Sequence, residues 1–415
     1  MWGHVYAKRR PYLRALLVLF VSFMCAFSLI SCSGKSQEQS AGIPAVPQGE
    51  TVKIGVCMPS TGSWTELSGM QSLGIRTASG FLKEKMGRKI ELVFRDAGDS
   101  PQAFIGSVQR LLMDDQVSGI ISCAAADEVA AVENVLRQKP VPFIITSPCR
   151  TDWKMKEMQH GLRIGTSLED QAYACARFLS DELKARRIGL VVDVEDPAVV
   201  RAASLISSEL IKTRSRIVGI AYMKKREDPA SSMAHLLGEK PDAIYVPYSG
   251  AHVMAVIMRL RTHDTNRPLL LSFFQTEETL LEGGGKAFEG VYIQTDFIAE
   301  SVRSSRGMEF IEFYRRHAGH RHEPGSNIAM GADAYFLMLD MIAGSQKTTL
   351  TDAFKEAASW KGSLLHITGV TPHGALHLEV LFGRIEKRFW GGATVKHVAS
   401  VKLNRSDPVA DIGTQ

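Results

Sequence analysis

The sequence predicts an α/β protein made of two doubly wound, parallel-sheet lobes joined by hinge strands. Short apolar runs rich in β-branched residues alternate with amphipathic stretches of helical period, and this alternation starts again after residue 166. Apolar strands bounded by helices are typical of a parallel sheet covered on both faces. About 365 of the 415 residues follow Glu50, more than one hydrophobic core usually serves, so two lobes are expected.

The first series alternates predicted strands with helices that begin near residues 68, 101 and 127. Its strands are the apolar runs Val52–Met58, Ile90–Phe94, Gly119–Ser122 and Pro142–Thr146. The clearest helix start is Ser100-Pro101, because Ser caps the first turn and Pro is favoured at the first helical position. The three helices are expected to end near residues 86, 113 and 138.

The second series repeats the same order. Its predicted strands are Ile188–Asp193, Ile217–Ala221, Ala243–Val246 and Leu269–Leu271. Helices are expected near 168–185, 196–212, 228–238 and 251–262. Two successive series of this kind predict two doubly wound lobes.

Three segments are expected to cross between the lobes: Gly161–Thr166, Val291–Phe297 and the β-rich tail that includes Leu376–Phe382. Helices near 302–317, 327–343 and 349–358 would complete the first lobe. The predicted division is residues 51–164 and 298–372 for lobe 1, 165–297 and 373–405 for lobe 2, and 406–415 for a tail.

The N-terminus has the pattern of an export signal that ends at Cys32. Lys8, Arg9, Arg10 and Arg14 are basic, no acidic residue precedes Cys32, and an apolar run starts at Ala15. That run is shorter than the roughly 20 residues of a membrane-spanning helix, and it ends at small residues, as signal peptides do. Leu29-Ile30-Ser31-Cys32 resembles the bacterial lipobox, which implies cleavage after Ser31 and lipidation of Cys32. The alternative is an uncleaved membrane anchor with an incidental Cys.

Residues 32–50 read as a flexible tether with a reach of about 25 Å. Removing residues 1–31 removes four positive charges and no negative ones, so the net charge of +5 becomes +1. A nearly neutral surface gives no support for nucleic acid as a partner. The expected location is the cell envelope, with the lipid on Cys32 in the membrane. Because Ser33 follows the Cys, a host with two membranes would place it on the periplasmic face of the outer membrane, and other hosts on the outer face of the plasma membrane.

The cysteines that remain in the fold are Cys57, Cys123, Cys149 and Cys175. The first three follow or end predicted strands, so they are expected near one another at the top of one sheet. A Cys57–Cys123 disulfide and buried thiols are equally compatible with this arrangement.

The chain resembles the type I periplasmic solute-binding proteins, in particular the leucine-binding-like branch that serves ABC importers. The matching segments occur in the family's order: Ile54–Val56, Pro59–Gly62, Gly74, Asp96–Ala103, Thr146–Pro148, Glu289–Val291, Tyr314, Pro324 and Asp333–Tyr335. The resemblance implies the Venus flytrap fold, in which a small ligand is trapped between lobes that close about the hinge strands.

Carried over by position, the resemblance implies a set of ligand-binding residues: Trp64, Leu67, Ala124, Ala125, Cys149, Thr151, Tyr248 and Gln275. Backbone donors at 124–125 would meet a carboxylate, and Cys149 and Thr151 fall where the family places its second carbonyl and hydroxyl. Trp64 and Leu67 would form an apolar wall, and Tyr248 would cover the ligand. For three of them a structural role competes. Thr151 could cap a helix, Tyr248 could lie in the core or on the surface, and Trp64 could serve packing alone.

The chain departs from the family's amino-acid site at three places. Ala124–Ala126 lack the expected serine, Asp196–Ala198 replace a Tyr-Gly pair, and Phe273–Gln275 stand where the family keeps an acidic partner for the ammonium group. A buried ammonium without its carboxylate costs several kcal/mol. We therefore expect a receptor for another small, amino-acid-like metabolite rather than a standard leucine, isoleucine or valine receptor.

No enzyme, cofactor or metal site is predicted. The sequence has no Gly-x-Ser-x-Gly or His-Glu-x-x-His motif, and His317, His320 and His322 read as a solvated loop among arginines. The leading hypothesis is a lipid-anchored solute receptor for an ABC permease. The rival is an interaction or sensor lipoprotein, such as a cell-wall-enzyme activator, on the same fold.

Overall fold

The structure, a computed structural model, describes most of residues 51–403. It leaves aside 63, 86, 124–125, 148–160, 225–229, 248–251, 264–265, 273–279, 282–284, 318–322, 346–355, 358, 371–374 and 388–392. Cys32 and the tether therefore lie outside the described residues. Within the described ranges, no helix has a stretch that is long and apolar enough to cross a membrane.

The first sheet is formed by β1 (Val52–Met58), β2 (Glu84–Lys85), β3 (Arg88–Asp96), β4 (Gly119–Ser122), β5 (Phe143–Ile145) and β6 (Gly161–Arg163). Their spatial order is β2-β3-β1-β4-β5-β6. All neighbours pair in parallel except β2, which forms an antiparallel hairpin with β3. This hairpin replaces the last part of the first predicted helix, which the sequence extended to residue 86.

The helices are α1 (Thr65–Phe81), α2 (Pro101–Met113), α3 (Ala126–Gln138), α4 (Leu168–Arg177), α5 (Pro197–Ile211), α6 (Ala230–Gly238), α7 (His252–His263), α8 (Ser305–His317) and α9 (Ser326–Ser345). A π-helical turn over Phe178–Glu182 continues α4, and short 3₁₀ turns lie at Gly285–Phe288 and Ala299–Ser301. The predicted cap at Ser100 is confirmed: its side chain accepts a hydrogen bond from the Ala103 N–H, and Pro101 is the first helical residue.

The second sheet contains β7 (Arg187–Asp193), β8 (Arg216–Met223), β9 (Ala243–Val246), β10 (Leu269–Leu271) and β11 (Tyr292–Thr295). A separate hairpin of β12 (Ile367–Val370) and β13 (Leu376–Leu378) precedes its last strands, β14 (Val380–Lys387) and β15 (Ala393–Val401). The spatial order is β15-β14-β11-β10-β9-β7-β8. β14 pairs antiparallel with both β11 and β15. Within the predicted β-rich tail, Leu376–Leu378 belongs to β13 and the chain enters β14 after Glu379.

Each sheet has a hydrophobic core on both faces, as the predicted doubly wound architecture requires. On the first sheet, Ile54 and Val56 of β1 face α1, α8 and α9, whereas Cys57 faces α2 and α3. On the second sheet, Leu190 faces α4 and α5, and its neighbour Val191 faces α6 and α7. The two-lobed α/β fold predicted from the sequence is therefore confirmed.

The lobes are joined by three crossings, which we call the hinge. The first is Ile164–Ser167 between β6 and α4, the second is Asp296–Ile298 after β11, and the third is Glu379 between β13 and β14. The first two crossings leave from the carboxyl ends of β6 and β11. The parallel strands of each sheet therefore end on the side that faces the other lobe.

Candidate functional site

The candidate site is the space between the carboxyl ends of the two sheets, beside the hinge. In open α/β sheets, ligands bind outside the carboxyl ends of the strands. Here the ends of β1, β4 and β5 belong to the first lobe, and those of β7, β9 and β10 belong to the second. Helix α1 begins directly after the β1 loop, so its N-terminal N–H groups also lie at this edge and favour an anion.

The loop after β1 is held by hydrogen bonds to Asp96, at the end of β3, and to Ser68 of α1. Ser60 donates its N–H and its hydroxyl to the two Asp96 carboxylate oxygens, at 3.1 and 2.5 Å, and Gly98 N–H donates to Asp96 as well. The Ser60 hydroxyl is the main reason that the pKa of Asp96 lies below its usual value. Ser68 of α1 donates its hydroxyl to the Pro59 carbonyl at 2.7 Å. These contacts fix Pro59 and Ser60 relative to Asp96 and α1.

Trp64 and Leu67 lie together at the start of α1. Trp64 is the N-cap residue, with Leu67 one turn later, and both are half-buried against the core of the first lobe. Part of each side chain is therefore buried by packing, and the rest is open to solvent. The packing role that the sequence offered as the alternative for Trp64 is present, and the exposed part of the side chain remains available to a ligand.

The polar residues that end β4 and β5 are engaged inside the first lobe. Thr146 donates its hydroxyl to Gln71 Oε1 at 2.5 Å, and Gln71 Nε2 donates back to the Thr146 carbonyl at 2.9 Å. Ser122 donates its hydroxyl to the Cys57 carbonyl at 2.8 Å. All these side chains are buried. They fix the strand ends relative to α1 and do not point to a contact with ligand.

In the second lobe, the segment that replaces the family's Tyr-Gly pair is a helix start. Asp196 accepts a hydrogen bond from the Ala198 N–H at 2.8 Å, and Pro197 is the first residue of α5. Asp193, at the end of β7, accepts from the Glu195 N–H at 2.9 Å. These carboxylates stabilise the turn and the helix.

Beneath the end of β10 lies a buried polar cluster that the sequence did not indicate. The hydroxyl of Tyr245 neighbours Cys175 and Ser272, and burial raises the pKa of both Tyr245 and Cys175. Cys175 Sγ lies 3.8 Å from Gln294 Oε1.

Cys57 and Cys123 are buried in the first lobe, and no disulfide joins them. The sequence left a disulfide and buried thiols as equal alternatives, and the structure shows the second.

The first and second hinge crossings are linked by a buried pair. Thr166 donates its hydroxyl to the Asp296 carboxylate, with distances of 2.8 and 3.0 Å to the two oxygens. Arg163, at the end of β6, is buried and donates to the Gly165 carbonyl at 3.1 Å. The sequence contained a signal for the Thr166–Asp296 pair, because both are polar residues inside otherwise apolar crossing segments.

The second and third crossings are linked through His366. Its Nδ1 lies 3.0 Å from Glu379 Oε2, and its Nε2 lies 2.9 Å from the Ser301 carbonyl oxygen. A neutral imidazole has a single N–H, so both contacts are hydrogen bonds only when both ring nitrogens carry protons or the carboxyl group is protonated. Nothing in the sequence had distinguished this histidine.

The other predicted ligand-binding residues lie outside the part of the chain that the structure describes. They are Ala124, Ala125, Cys149, Thr151, Tyr248 and Gln275. His320 and His322 of the histidine-rich loop lie outside it too. Within the described ranges, no three His, Cys, Asp or Glu side chains lie close enough to one another to hold a metal ion.

Comparison with known proteins agrees with this architecture. A family model described as periplasmic binding protein matches residues 51–371, well over half of the chain. Comparison of the sequence with curated proteins gave no significant match.

Several solved structures share the fold. A leucine-binding protein from Thermotoga maritima is 21% identical, with a TM-score of 0.69 over 85% of this chain and 99% of that one. An ABC transporter substrate-binding protein from Sphaerobacter thermophilus is 19% identical, with a TM-score of 0.72 over 85% and 98%. A solute-binding protein from Rhodopseudomonas palustris, solved with 3,4-dihydroxybenzoic acid, is 17% identical, with a TM-score of 0.68 over 85% and 97%.

Proposed function

Because the chain belongs to the periplasmic binding protein family, we propose that it is a lipid-anchored, extracytoplasmic receptor for an ABC importer. It captures a small, amino-acid-like metabolite between its two lobes and delivers it to a permease. The observation that carries this proposal is the pair of sheets whose parallel strands have their carboxyl ends facing each other beside the three hinge crossings. That geometry encloses a ligand when the lobes close and gives the permease a closed form to recognise.

The ligand we propose has a carboxylate and an apolar body. The N-terminus of α1, set in place by the Ser60–Asp96 and Ser68–Pro59 contacts, supplies donors and a positive dipole end for the carboxylate. Trp64 and Leu67 supply the apolar wall. Related folds have been solved with isoleucine and with hydroxybenzoic acids, and both kinds of molecule have this chemistry.

Between these two kinds of ligand, the sequence favours one that does not need a buried partner for an ammonium group. Gln275 stands where the family keeps an acidic residue, and an uncompensated buried ammonium costs several kcal/mol. We therefore propose an aromatic or otherwise less charged relative of an amino acid.

Calorimetry on the signal-free protein tests this order of preference. We expect an aromatic acid such as 4-hydroxybenzoate to bind more tightly than leucine or valine. Sub-micromolar binding of leucine or valine would refute the preference without touching the receptor function. Mass spectrometry of ligand that co-purifies with the protein, without any added metabolite, identifies the natural solute.

A Trp64→Ala variant separates binding from packing. If Trp64 contacts the ligand, its removal lowers affinity at least tenfold, and Trp64→Phe restores most of the loss. Melting temperature is measured in parallel, because a residue that serves packing alone would lower stability and leave affinity per folded molecule unchanged. That second outcome removes Trp64 from the site.

The proposed anchor is the thioether lipid on Cys32. The basic segment, the apolar run and Leu29–Cys32 support it. We expect the wild type to be cleaved after Ser31 and to carry the lipid mass. A Cys32→Ser variant should lack the lipid and keep its signal uncleaved, while Cys25→Ser, in the apolar run, behaves as wild type. A wild type of full, uncleaved length without lipid would instead indicate the uncleaved anchor.

A second function is supported by two features of the sequence. Ser33 after the Cys suggests outer-membrane sorting, and the amino-acid site departs from the family pattern. Both favour a sensor or an activator of a cell-wall enzyme that keeps the fold without transport. A broad metabolite screen with no thermal shift would favour this alternative, whereas a permease and an ATPase encoded beside the gene would favour transport.

A further inference from the structure

A groove of about 530 Å³ lies between the two lobes beside the hinge. Its walls are Phe297–Glu300, which contains the end of the second hinge crossing and the start of the following 3₁₀ turn, one face of α8 with Glu323–Gly325, and Leu281 with Ala393–Val395 from the second lobe. It contains none of the ends of β1, β4, β5, β7, β9 and β10 that form the candidate solute site. We call it the hinge groove. Its volume falls within the range of roughly 300–1,000 Å³ that is usual for small-molecule sites.

The charges that line the hinge groove are mostly negative. Glu300, Glu312 and Glu323 supply three carboxylates, and Arg315 supplies one guanidinium, which leaves an excess of two negative charges among the described lining residues. Arg315 is directed at Glu323: its Nε and Nη2 each donate to one of that carboxylate's oxygens at 2.9 Å. The guanidinium therefore compensates Glu323 more than the other two carboxylates.

Among the residues that the structure describes, the contacts of those other two carboxylates compensate their charge only weakly. Glu312 lies 3.8 Å from Arg316 on the same helix, and both side chains are more than 60% exposed, so the pair is worth little. Glu300 accepts a backbone hydrogen bond from His397 N–H, which brings no charge. The local field in this part of the groove therefore favours a cation.

The same wall of α8 offers an apolar surface next to the carboxylate. Met308 is 53% exposed, and Glu312 follows it by one helical turn, so both lie on one face. Ile311 adds a buried apolar floor. Methionine adapts its shape to aliphatic and aromatic partners and makes favourable contacts with aromatic rings.

We propose that the hinge groove is a second binding site, which takes a small organic cation with an apolar body, such as an alkyl or aryl amine. The cationic group lies against Glu300 and Glu312, and the apolar body covers Met308. This chemistry is opposite in charge to the carboxylate ligand proposed for the solute site.

Methyl NMR on the full-length protein in detergent tests the site directly. The methionine methyl groups carry ¹³C, and loss of one signal in Met308→Leu assigns Met308. We expect 2-phenylethylamine to shift the Met308 signal in a saturable manner, while phenylacetate, which has a similar ring with the opposite charge, does not. Equal shifts with both compounds, or a shift only at other methionines, would overturn the proposal.

Matched variants then test the carboxylates. The double variant Glu300→Gln/Glu312→Gln should bind the amine at least tenfold more weakly, because it removes the two weakly compensated negative charges and keeps the side-chain shape. Glu309→Gln, on the same helix and exposed but outside the groove, should bind as wild type. Unchanged affinity in the double variant contradicts the proposal. So does a Met308 signal that changes with protein concentration alone, since a second copy of the chain would then cover the groove. Neither result bears on the solute site.

Discussion

Asp333 illustrates how a single buried carboxylate organises a region far along the chain. It lies within α9, is fully buried, and accepts hydrogen bonds from the N–H groups of Ser363, Leu364 and Leu365 at 2.8–3.2 Å. These contacts fix the turn that leads to His366 and the third hinge crossing. The sequence marked Asp333 only as part of the Asp-Ala-Tyr segment shared with the family, because its partners are about 30 residues away.

Asp333→Asn should change how stability depends on pH. Burial raises the pKa of Asp333 from 3.8 to about 7. The folded state therefore holds this proton more tightly than the unfolded state, so this group's contribution to stability falls as pH rises from about 4 to about 7 and is constant above that. Asn does not ionise, and its Oδ1 still accepts hydrogen bonds. Chemical denaturation at several pH values should show a flatter profile for Asp333→Asn over this interval, and parallel profiles for the two proteins would contradict the expectation.

At the level of elements, α1 and α9 of the first lobe approach each other closely. Gly74 of α1 packs against the Ile328 carbonyl, and Gly331 of α9 packs against the Gln71 carbonyl. A Cβ added at either glycine would lie 2.1 Å from that oxygen. Local propensity would disfavour glycine within both helices. The sequence predicted both helices, but their mutual contact depends on positions more than 250 residues apart.

Gly74→Ala and Gly331→Ala should each destabilise the protein by roughly 1 to 3 kcal/mol, because the helices must separate to admit the methyl group. Gly69→Ala is the matched control. It lies in α1 as well, a Cβ there meets nothing within 4 Å, and the higher helix propensity of Ala should stabilise by up to about 1 kcal/mol. Urea denaturation measures all three. Equal effects at positions 69 and 74 would mean that α1 and α9 are not in close contact.

On the scale of the whole molecule, the three hinge crossings connect the two lobes and are linked to one another. Thr166–Asp296 ties the first crossing to the second, and His366 ties the second to the third through Ser301 and Glu379. We expect crossings that are linked to one another to bend together, so that closure is a rotation of rigid lobes.

Thr166→Val should weaken this coupling, because the buried Asp296 carboxylate loses a hydroxyl donor. We expect a loss of about 1 to 3 kcal/mol in stability and a broader distribution of lobe separations in small-angle X-ray scattering. Thr166→Ser keeps the hydroxyl and should restore both properties. If Val and Ser variants scatter alike and are equally stable, the pair does not constrain the hinge.

Most of the fold could be predicted from the sequence because its signals are local. The boundaries of β4, β9 and β10 and the Ser100 cap were placed correctly, since apolar runs and capping chemistry lie within a few residues of the features they define. The error at the first helix was a local signal overridden by a tertiary contact. α1 ends at Phe81, short of the predicted residue 86, because the β2–β3 hairpin takes the next residues.

The sequence by itself determined the class of the molecule: two doubly wound lobes, three crossings, and an N-terminus that has the pattern of a lipoprotein signal. Periodicity and composition carry that information without reference to distant residues. Only the tertiary structure decided which polar residues are committed to internal contacts. Ser122, Thr146 and Asp196 are engaged within their own lobes, whereas Thr166 and His366 hold the hinge. The physical reason is that a side chain's role depends on the partners it meets after folding, and those partners lie far away in the sequence.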